Sequence, residues 1–563
     1  MLKIGTVFSG IGAFEHALER MNIRYEIEFA CDNGDVDVLS KTIEDNISSI
    51  REEFNELEEM NKKNQFDWLA EKYESAKNRF CIVEDKINKE PVNKKIIIEA
   101  YQKYLNTGKM NDNQKKAYNE IMSNISEVTC ATDENYEYIK LYLKLESDIK
   151  RATGKKILDY IKSEVSISDY KKIVKEVRLI EEELSMLHES IKTEVIREKV
   201  FSMKSYKEQK EYVDALYENK KNSNKVRQTY FANYEITDEK YHWNVSFLDG
   251  RKFKDKIDIF VGGSPCQSFS LVGKQRGLND TRGTLFYEFA RLVDEIKPKV
   301  FIFENVKAIL SNDNGKTWEK IKEIFENLGY DWKMSILNAK DYGIPQNRER
   351  VFVVGIRKDK NITDFKFPEP IKLESKMQDY LLDNVSGKYY LPEKGVKFVT
   401  SEKNLNKKYT QIDGDVQLCQ KKNQQFNWHG DFVFVEENKH KETLMKDLEK
   451  YFLSEKVKKY VLSSGTKGFY SKPEIDLDIA RPLLTTMHKM HRAGVDNYVT
   501  TEGRIRKLTP RECLRLMGFC DSFKIVVSDT SAYQQSGNSI VVNVLMAIIE
   551  EILKVYPELI GGN

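Results

Sequence analysis

Six short apolar runs punctuate this 563-residue chain, and most are separated by segments with helical spacing. The runs are Ile4-Gly5-Thr6-Val7-Phe8, Tyr25 to Ala30, Ile257 to Val261, Lys299 to Phe303, Met334 to Leu337 and Val351 to Ile356. Between them, Phe14, Ala17, Leu18 and Met21 recur at helical intervals, as do Leu285, Phe289, Leu292, Val293 and Ile296. Trp318, Ile321, Phe325 and Leu328 form a third such face, closed by Gly329. Buried strands alternating with amphipathic helices predict an α/β fold with a doubly wound, Rossmann-like sheet. In sheets of that kind ligands bind at the carboxyl ends of the strands.

Those ends carry chemistry. After the first run comes the Gly-rich turn Ser9-Gly10-Ile11-Gly12, and the second ends at Cys31-Asp32-Asn33. An acidic residue about 20 positions beyond the glycines sits where a nucleotide-type site holds a ribose. The glycine spacing differs from that of the dinucleotide fingerprint, so a nicotinamide is not expected; the turn is either a tight strand-to-helix connection or, taken with the cysteine of the third run, part of an adenosine-type cofactor site. The third run passes through Gly262-Gly263-Ser264-Pro265 to Cys266. A cysteine there is either a small apolar residue closing a core strand or a nucleophile at the mouth of one. The basic, Gly-containing loop that follows, Lys274 to Gly283, suits a lid over an anionic substrate. Glu304 ends the fourth run. Arg348 and Arg350, two apart in an extended segment, are expected on one side, as a surface pair or as site residues.

Lys+Arg of 91 against Asp+Glu of 89 leaves a net charge of +2, so any nucleic-acid surface must be local. Apolar runs stay far below the roughly 20 residues a membrane span needs. The N-terminus passes directly into a strand, without a leader. Seven scattered cysteines form neither a disulfide framework nor a zinc motif. A cytoplasmic, metal-free protein is therefore expected, with Cys266 a free thiol. From residue 46 to 230 the composition shifts to Lys, Glu, Asn, Ile and Tyr with almost no proline. Ile173, Val177, Ile180, Leu184, Leu187 and Ile191 alternate four and three apart, a coiled-coil seam. Tyr138, Tyr142, Leu145 and Ile149 repeat the spacing, which predicts a helical hairpin. This insert is expected to pack on itself; a partner-binding or DNA-clamping arm is the alternative.

Taken together, these pieces resemble the DNA cytosine-5 methyltransferases. The resemblance rests on Phe8-Ser9-Gly10-Ile11-Gly12, Pro265-Cys266-Gln267, Glu304-Asn305-Val306 and Gln346-Asn347-Arg348-Glu349-Arg350. It is completed by Leu508-Thr509-Pro510-Arg511-Glu512-Cys513 through Gly518-Phe519, and by Gln535-Ser536-Gly537-Asn538-Ser539. It covers residues 1–39, 238–356 and 504–555.

The resemblance implies S-adenosylmethionine as methyl donor and a flipped cytosine in duplex DNA as substrate. It makes Cys266 the nucleophile that adds to C6, Glu304 the acid at N3, Arg350 the partner of O2 and Arg348 the residue that orders the site. Phe8, Gly10, Ile11 and Gly12 become cofactor contacts, with Asp32 on the ribose and Asn538 on the methionine portion. Asn244 stands where the family has an acid for the adenine amino group, and Asn33 where it often has a stacking aromatic. Gln267, Ser270, Arg282 and Thr485 become DNA contacts, Arg282 on a phosphate. The implied domains are a catalytic part at 1–45, the insert at 46–230, a second catalytic part at 231–357, a target-recognition domain at 358–503 and a C-terminal catalytic part at 504–563. A monomer in catalysis is expected, with a cognate restriction endonuclease as possible partner and the insert as a site of protein contacts. Two other functions compete: a tRNA cytosine-5 methyltransferase, and a catalytically silent DNA-binding regulator.

Overall fold

The computed structural model describes the chain apart from residues 65–66, 90–91, 109, 153–166, 265–284, 383–392, 407–409, 413–429, 433–476, 484–496, 502–503 and 562–563. Two compact units emerge, Met1–Val36 with Val200–Asn563, and Asp37–Lys199. Among the described residues no helix is long and apolar enough to cross a membrane.

The first unit is built on a seven-stranded sheet. Its strands are β1 (Leu2–Val7), β2 (Tyr25–Cys31), β3 (Tyr241–His242), β4 (Ile259–Gly262), β5 (Val300–Val306), β6 (Tyr330–Asn338) and β7 (Glu349–Arg357). They lie in the order β3-β2-β1-β4-β5-β7-β6. Pairings from β3 through β5 are parallel, whereas β7 runs antiparallel to both β5 and β6. The reversal follows from chain length. A parallel return needs a crossover of a dozen or more residues, and the 339–348 link holds only the short turn Ala339–Tyr342. β7 therefore folds back as a hairpin partner and slots beside β5. That pairing also carries β5 past Glu304 to Val306, three residues beyond the end of its apolar run.

Both faces of the sheet are buried, and successive side chains serve different cores. Val300 and Ile302 join one cluster, Phe301 and Phe303 the other; Ile259 and Val261 likewise oppose Phe260. Near-continuous apolar strands are what a sheet covered on both sides requires. The first face contributes to one core with residues of helices Ala13–Arg20, Lys225–Asn233 and Val542–Val555. Arg20 Nη1 ties two of these together, donating to Asn543 Oδ1 at 2.5 Å and to the Gly518 carbonyl at 2.8 Å. On the second face Phe289 stacks on Phe260 and Phe325 on Phe301, with ring centroids 5.1 and 5.3 Å apart. Those rings come from helices Leu285–Ile296 and Lys316–Asn327.

The second unit is helical, with a core of its own. The expected seam is buried: Ile173, Val177, Ile180, Leu184, Leu187 and Ile191 all face inward from helix Ile167–Ser202. The two helices of the expected hairpin, Ala131–Ala152 and Ile167–Ser202, meet at Tyr142 and Tyr170, whose ring centroids lie 5.5 Å apart, but they do not pack alone. The seam shares its core with residues of Ile47–Asn64, Asp67–Lys89, Lys94–Asn106, Asp112–Glu127 and Ala131–Ala152. A narrow 3.5-residue stripe does not reveal how many helices cover it, because several shallow contacts bury the same side chains as one deep one. Local signals mark some helix starts: Asn111 and Gln114 form a reciprocal capping box, and Asn93 caps the helix after it. The expected insert boundaries, 46–230, also shift to Asp37–Lys199. Residues 200–230 share the insert's Lys, Asn and Tyr bias, yet Tyr230 is wholly buried in the core of the first unit. Composition could not mark that border. Most of 358–503 lies outside the described residues, and its described parts, including Leu477–Leu483, group with the first unit.

In the helical unit, Asp45 accepts the Tyr136 hydroxyl at 2.8 Å. Burial first, and the neighbouring Asp45 carboxylate second, push the Glu181 carboxyl up to about 8. The folded unit thus holds a proton there that the unfolded chain releases near its ordinary value of about 4.3. Its stability should fall as pH rises from about 4.5 to about 8. Corrected for the intrinsic base-catalysed exchange rate, hydrogen-exchange protection along Ile167–Ser202 is expected to fall several-fold over that range in the wild type, and much less in Glu181→Gln.

Candidate active site

The carboxyl ends of β1 and β2 form the first half of the site. Beyond Val7 the backbone turns through left-handed conformations at Phe8 (φ 52°), Gly10 (φ 54°) and Gly12 (φ 77°). Glycine is required at 12 for a second reason: a β-carbon there would lie 2.2 Å from Cε2 of Tyr234. Gly12 is also the N-cap of helix Ala13–Arg20, and Ile11 beside it is buried. The Asp32 carboxylate closes the turn from β2. Its Oδ2 accepts the Gly10 amide and its Oδ1 the Gly34 amide, both at 2.8 Å. Burial pushes the Asp32 carboxyl up to about 6, against the pull of those two amides. At neutral pH it is therefore an anion with lone pairs left over for hydroxyl donors.

Asn244 follows β3, beside Asp32, whose amide donates to the His242 carbonyl at 3.0 Å. Its Oδ1 accepts the Ser246 amide at 2.9 Å, and its Nδ2 donates to the Tyr217 hydroxyl at 3.2 Å. Asn538 ends helix Asp529–Asn538 with its side chain exposed.

The second half lies at the ends of β4 and β5. Gly263 fits against Glu304 so closely that a β-carbon would come within 2.9 Å of Glu304 Oε2. Next to it, buried Asn305 donates from Nδ2 to the Ser264 carbonyl (3.1 Å) and to Ser264 Oγ (3.2 Å). The antiparallel register sets Val306 opposite Arg350, and Arg350 Nε reaches Glu304 Oε1 at 3.1 Å. Burial raises the Glu304 carboxyl, while the Arg350 and then the Arg348 guanidinium hold it down. A carboxyl balanced in this way can hold or yield a proton.

The two arginines, expected side by side, divide their work. Arg348 precedes the strand and is 3% exposed. Its guanidinium donates to the carbonyls of Leu483 (3.1 Å), Gly537 (3.0 Å) and Ser539 (3.0 Å). Gln346 does similar work, giving Nε2 to the Leu516 carbonyl and accepting the Leu483 amide. Arg350 alone of the pair meets the acid directly.

Cys266, Gln267, Ser270, Arg282 and Thr485 lie outside the described residues. Their nearest described neighbours are instructive. Ser264, two residues before Cys266, is the residue Asn305 holds, and Leu483, two before Thr485, is the residue Arg348 holds. Cys31, the other cysteine at a strand end, is buried, and that burial pushes its thiol well up. It is a structural thiol. Sequence reasoning assigned no role to Asn305, Gln346, Tyr230 or Tyr234. Asn305 was visible as the neighbour of Glu304; Tyr230 was hidden at the end of what read as insert, and Tyr234 stands just past that border with no motif around it.

These roles separate in stability. Replacing Arg348 by lysine removes the planar fork that serves three carbonyls, and is expected to cost about 3 kcal/mol. Arg350→Lys, in a partly exposed ion pair, is expected to cost less than about 1 kcal/mol. Denaturant unfolding of the two variants beside the wild type measures the difference.

The family model described as C-5 cytosine-specific DNA methylase matches residues 208–554, more than half of the chain. The type II methyltransferase M.SsoII of Shigella sonnei is 34% identical over 334 residues, spanning 58% of this chain and 71% of that protein. M.HhaI of Haemophilus parahaemolyticus is 35% identical over 293 residues, 52% and 74% of the two chains. M.Bsp6I of Bacillus sp. (strain RFL6) is 32% identical over 354 residues, 62% of this chain and 93% of the relative. With a sheet whose strand ends gather the turn, the acid and the arginines, and with matches of this extent, the chain belongs to the C-5 cytosine-specific DNA methylase family and is a DNA cytosine-5 methyltransferase.

Proposed function

We propose that the protein methylates C5 of a cytosine flipped out of duplex DNA, through a covalent bond between Cys266 and C6 of the base. The observation that carries this reading is the Glu304–Arg350 pair packed against Gly263-Ser264, immediately before Pro265-Cys266. C5 of cytosine is a weak nucleophile. Addition of the Cys266 thiolate to C6 makes C5 enamine-like, provided the charge arriving at N3 is met by a proton. Glu304 is suited to that task, because burial favours its protonated form and Arg350 steadies its anion. Arg350 would also donate to O2 of the ring. Loss of H5 and expulsion of the thiolate then restore aromaticity.

The residues at the ends of β1 and β2 fit S-adenosylmethionine. Asp32 offers free lone pairs for two ribose hydroxyls, and Gly10 in the left-handed turn, where a β-carbon would meet nothing nearer than 3.9 Å, would let the methionine and adenosine portions approach the backbone closely. Asn244 and Asn538 are assigned to the adenine and methionine ends. When bound, the cofactor supplies an electrophilic methyl group on sulfur. Gln267, Ser270, Arg282 and Thr485 would contact DNA, and the described anchors Ser264 and Leu483 support placing their segments beside the base. The type II names of the relatives support a restriction–modification setting with a cognate endonuclease.

Incubation with labelled methyl donor and either duplex DNA or tRNA tests the substrate. Label in DNA at C5 is expected; label in tRNA alone overturns the reading. Cys266→Ala should lose methyl transfer by at least ~10³-fold while still binding the cofactor.

The pH dependence follows from Asp32. Ribose binding needs its carboxylate, which is lost as pH falls through about 6. KM for S-adenosylmethionine is expected to rise ~10-fold between pH 7 and pH 5, which is one pH unit past that value. Asp32→Asn should show a high KM that no longer varies over this range.

A further inference from the structure

The cofactor turn rests on a buried carboxylate that the proposed chemistry does not use. Glu15, in the first turn of helix Ala13–Arg20, is 1% exposed. Its Oε1 accepts the Tyr230 hydroxyl at 2.5 Å and the Thr6 hydroxyl at 3.1 Å. Thr6 Oγ1 lies 2.8 Å from Ser9 Oγ, which in turn accepts the Cys31 amide at 3.1 Å. A chain of polar groups thus runs from helix Lys225–Asn233 beneath β1, through the turn, to the residue before Asp32. A second hydroxyl from the same region, that of Tyr234, lies 2.7 Å from the Gly12 carbonyl and 3.1 Å from that of Ile11. Its ring fills the space a Gly12 side chain would need.

Burying a carboxyl in this core is expensive unless it is well bonded, and a leucine at 15 would avoid that cost only by taking the shared acceptor from the Tyr230 and Thr6 hydroxyls. What the carboxyl adds is direction: it joins three segments by hydrogen bonds of fixed geometry. We propose that Glu15, Tyr230 and Tyr234 are positioning residues for S-adenosylmethionine, holding the Ser9–Gly12 turn and the Asp32 segment in the shape that binds it. None of the three touches the reacting atoms. Their contribution belongs to cofactor affinity and not to the methyl-transfer step. This rests on the assignment of the turn to S-adenosylmethionine given above.

The test uses the full-length protein, with calorimetric titration of S-adenosylmethionine alone and steady-state kinetics on duplex DNA. Tyr230→Phe and Tyr234→Phe each delete one hydroxyl and keep the ring. Each is expected to raise Kd and KM for the cofactor ~5- to 10-fold, the scale of one buried hydrogen bond. kcat at saturating cofactor should stay within about twofold, and KM for DNA should hold. Glu15→Gln, which keeps an acceptor oxygen, should fall between the wild type and Glu15→Leu. Tyr330→Phe is the control: its hydroxyl is equally buried, donates to the Pro298 carbonyl at 2.7 Å and lies at the opposite end of the sheet. It should lower the melting temperature without moving Kd. If the two tyrosine variants behave like that control, or if kcat falls while Kd stays put, the inference is overturned. A wild type that fails to bind S-adenosylmethionine would overturn the cofactor assignment instead.

Discussion

A single buried guanidinium holds the catalytic unit together at its most distant joints. Arg348 stands just before β7, yet it serves carbonyls at Leu483, Gly537 and Ser539. A charge with so little exposure is tolerable only when polar partners surround it, so the partners are held as firmly as the arginine. The segment leading to Thr485 and the motif ending at Asn538 are located relative to the sheet by this one side chain. Arg350, two residues on, is then free to face Glu304. The division depends on β7 running antiparallel to β5, which sets Arg350 across from Val306. A parallel strand would have brought its other end to this edge.

The two halves of the site are stabilised differently, as the tasks proposed for them, cofactor and base, differ. The cofactor half is a matter of backbone shape: left-handed turns, amides offered to Asp32, and hydroxyls from below that hold the turn. The base half is a matter of charge: a carboxyl raised by burial and restrained by two guanidiniums. Shape suits a ligand held by many weak contacts. Balanced charge suits a group that must exchange a proton within each turnover.

Much of this was legible in the sequence because period and punctuation are local. The strands and their polar terminators marked the sheet and the edge where Gly10, Asp32 and Glu304 gather. Pairing was less legible. Nothing in Val351 to Ile356 states that it runs antiparallel; the constraint lies in the link before it, 339–348, which is too short for a parallel return. The helical seam from Ile173 to Ile191 was plain, but the number of helices sharing it was not, since apolar spacing reports burial and not neighbours. Least legible was the stretch from residue 200 to 230. Its composition continues that of the insert, while Tyr230 at its end is buried in the core of the first unit and donates to Glu15. The roles of Asn305 and Gln346 depend on contacts with chain elements far off in sequence, which no local pattern encodes.

The place where the chain departs for its helical unit has a kinetic consequence. Ala30 of β2 must pair with Tyr241 of β3, and the whole insert lies between them in sequence. Closing so long a loop is entropically slow if the intervening chain is random, because the cost grows with the logarithm of loop length. Within the helical unit, however, the first segment lies along the last helix: Ser185 donates to the Lys41 carbonyl at 3.0 Å, and Lys192 is within electrostatic reach of Asp37. Once that unit has folded, its two ends are close neighbours. The loop that β2 and β3 must close is then short again, and the edge of the sheet beside Asp32 can assemble almost as it would in a chain without the insertion.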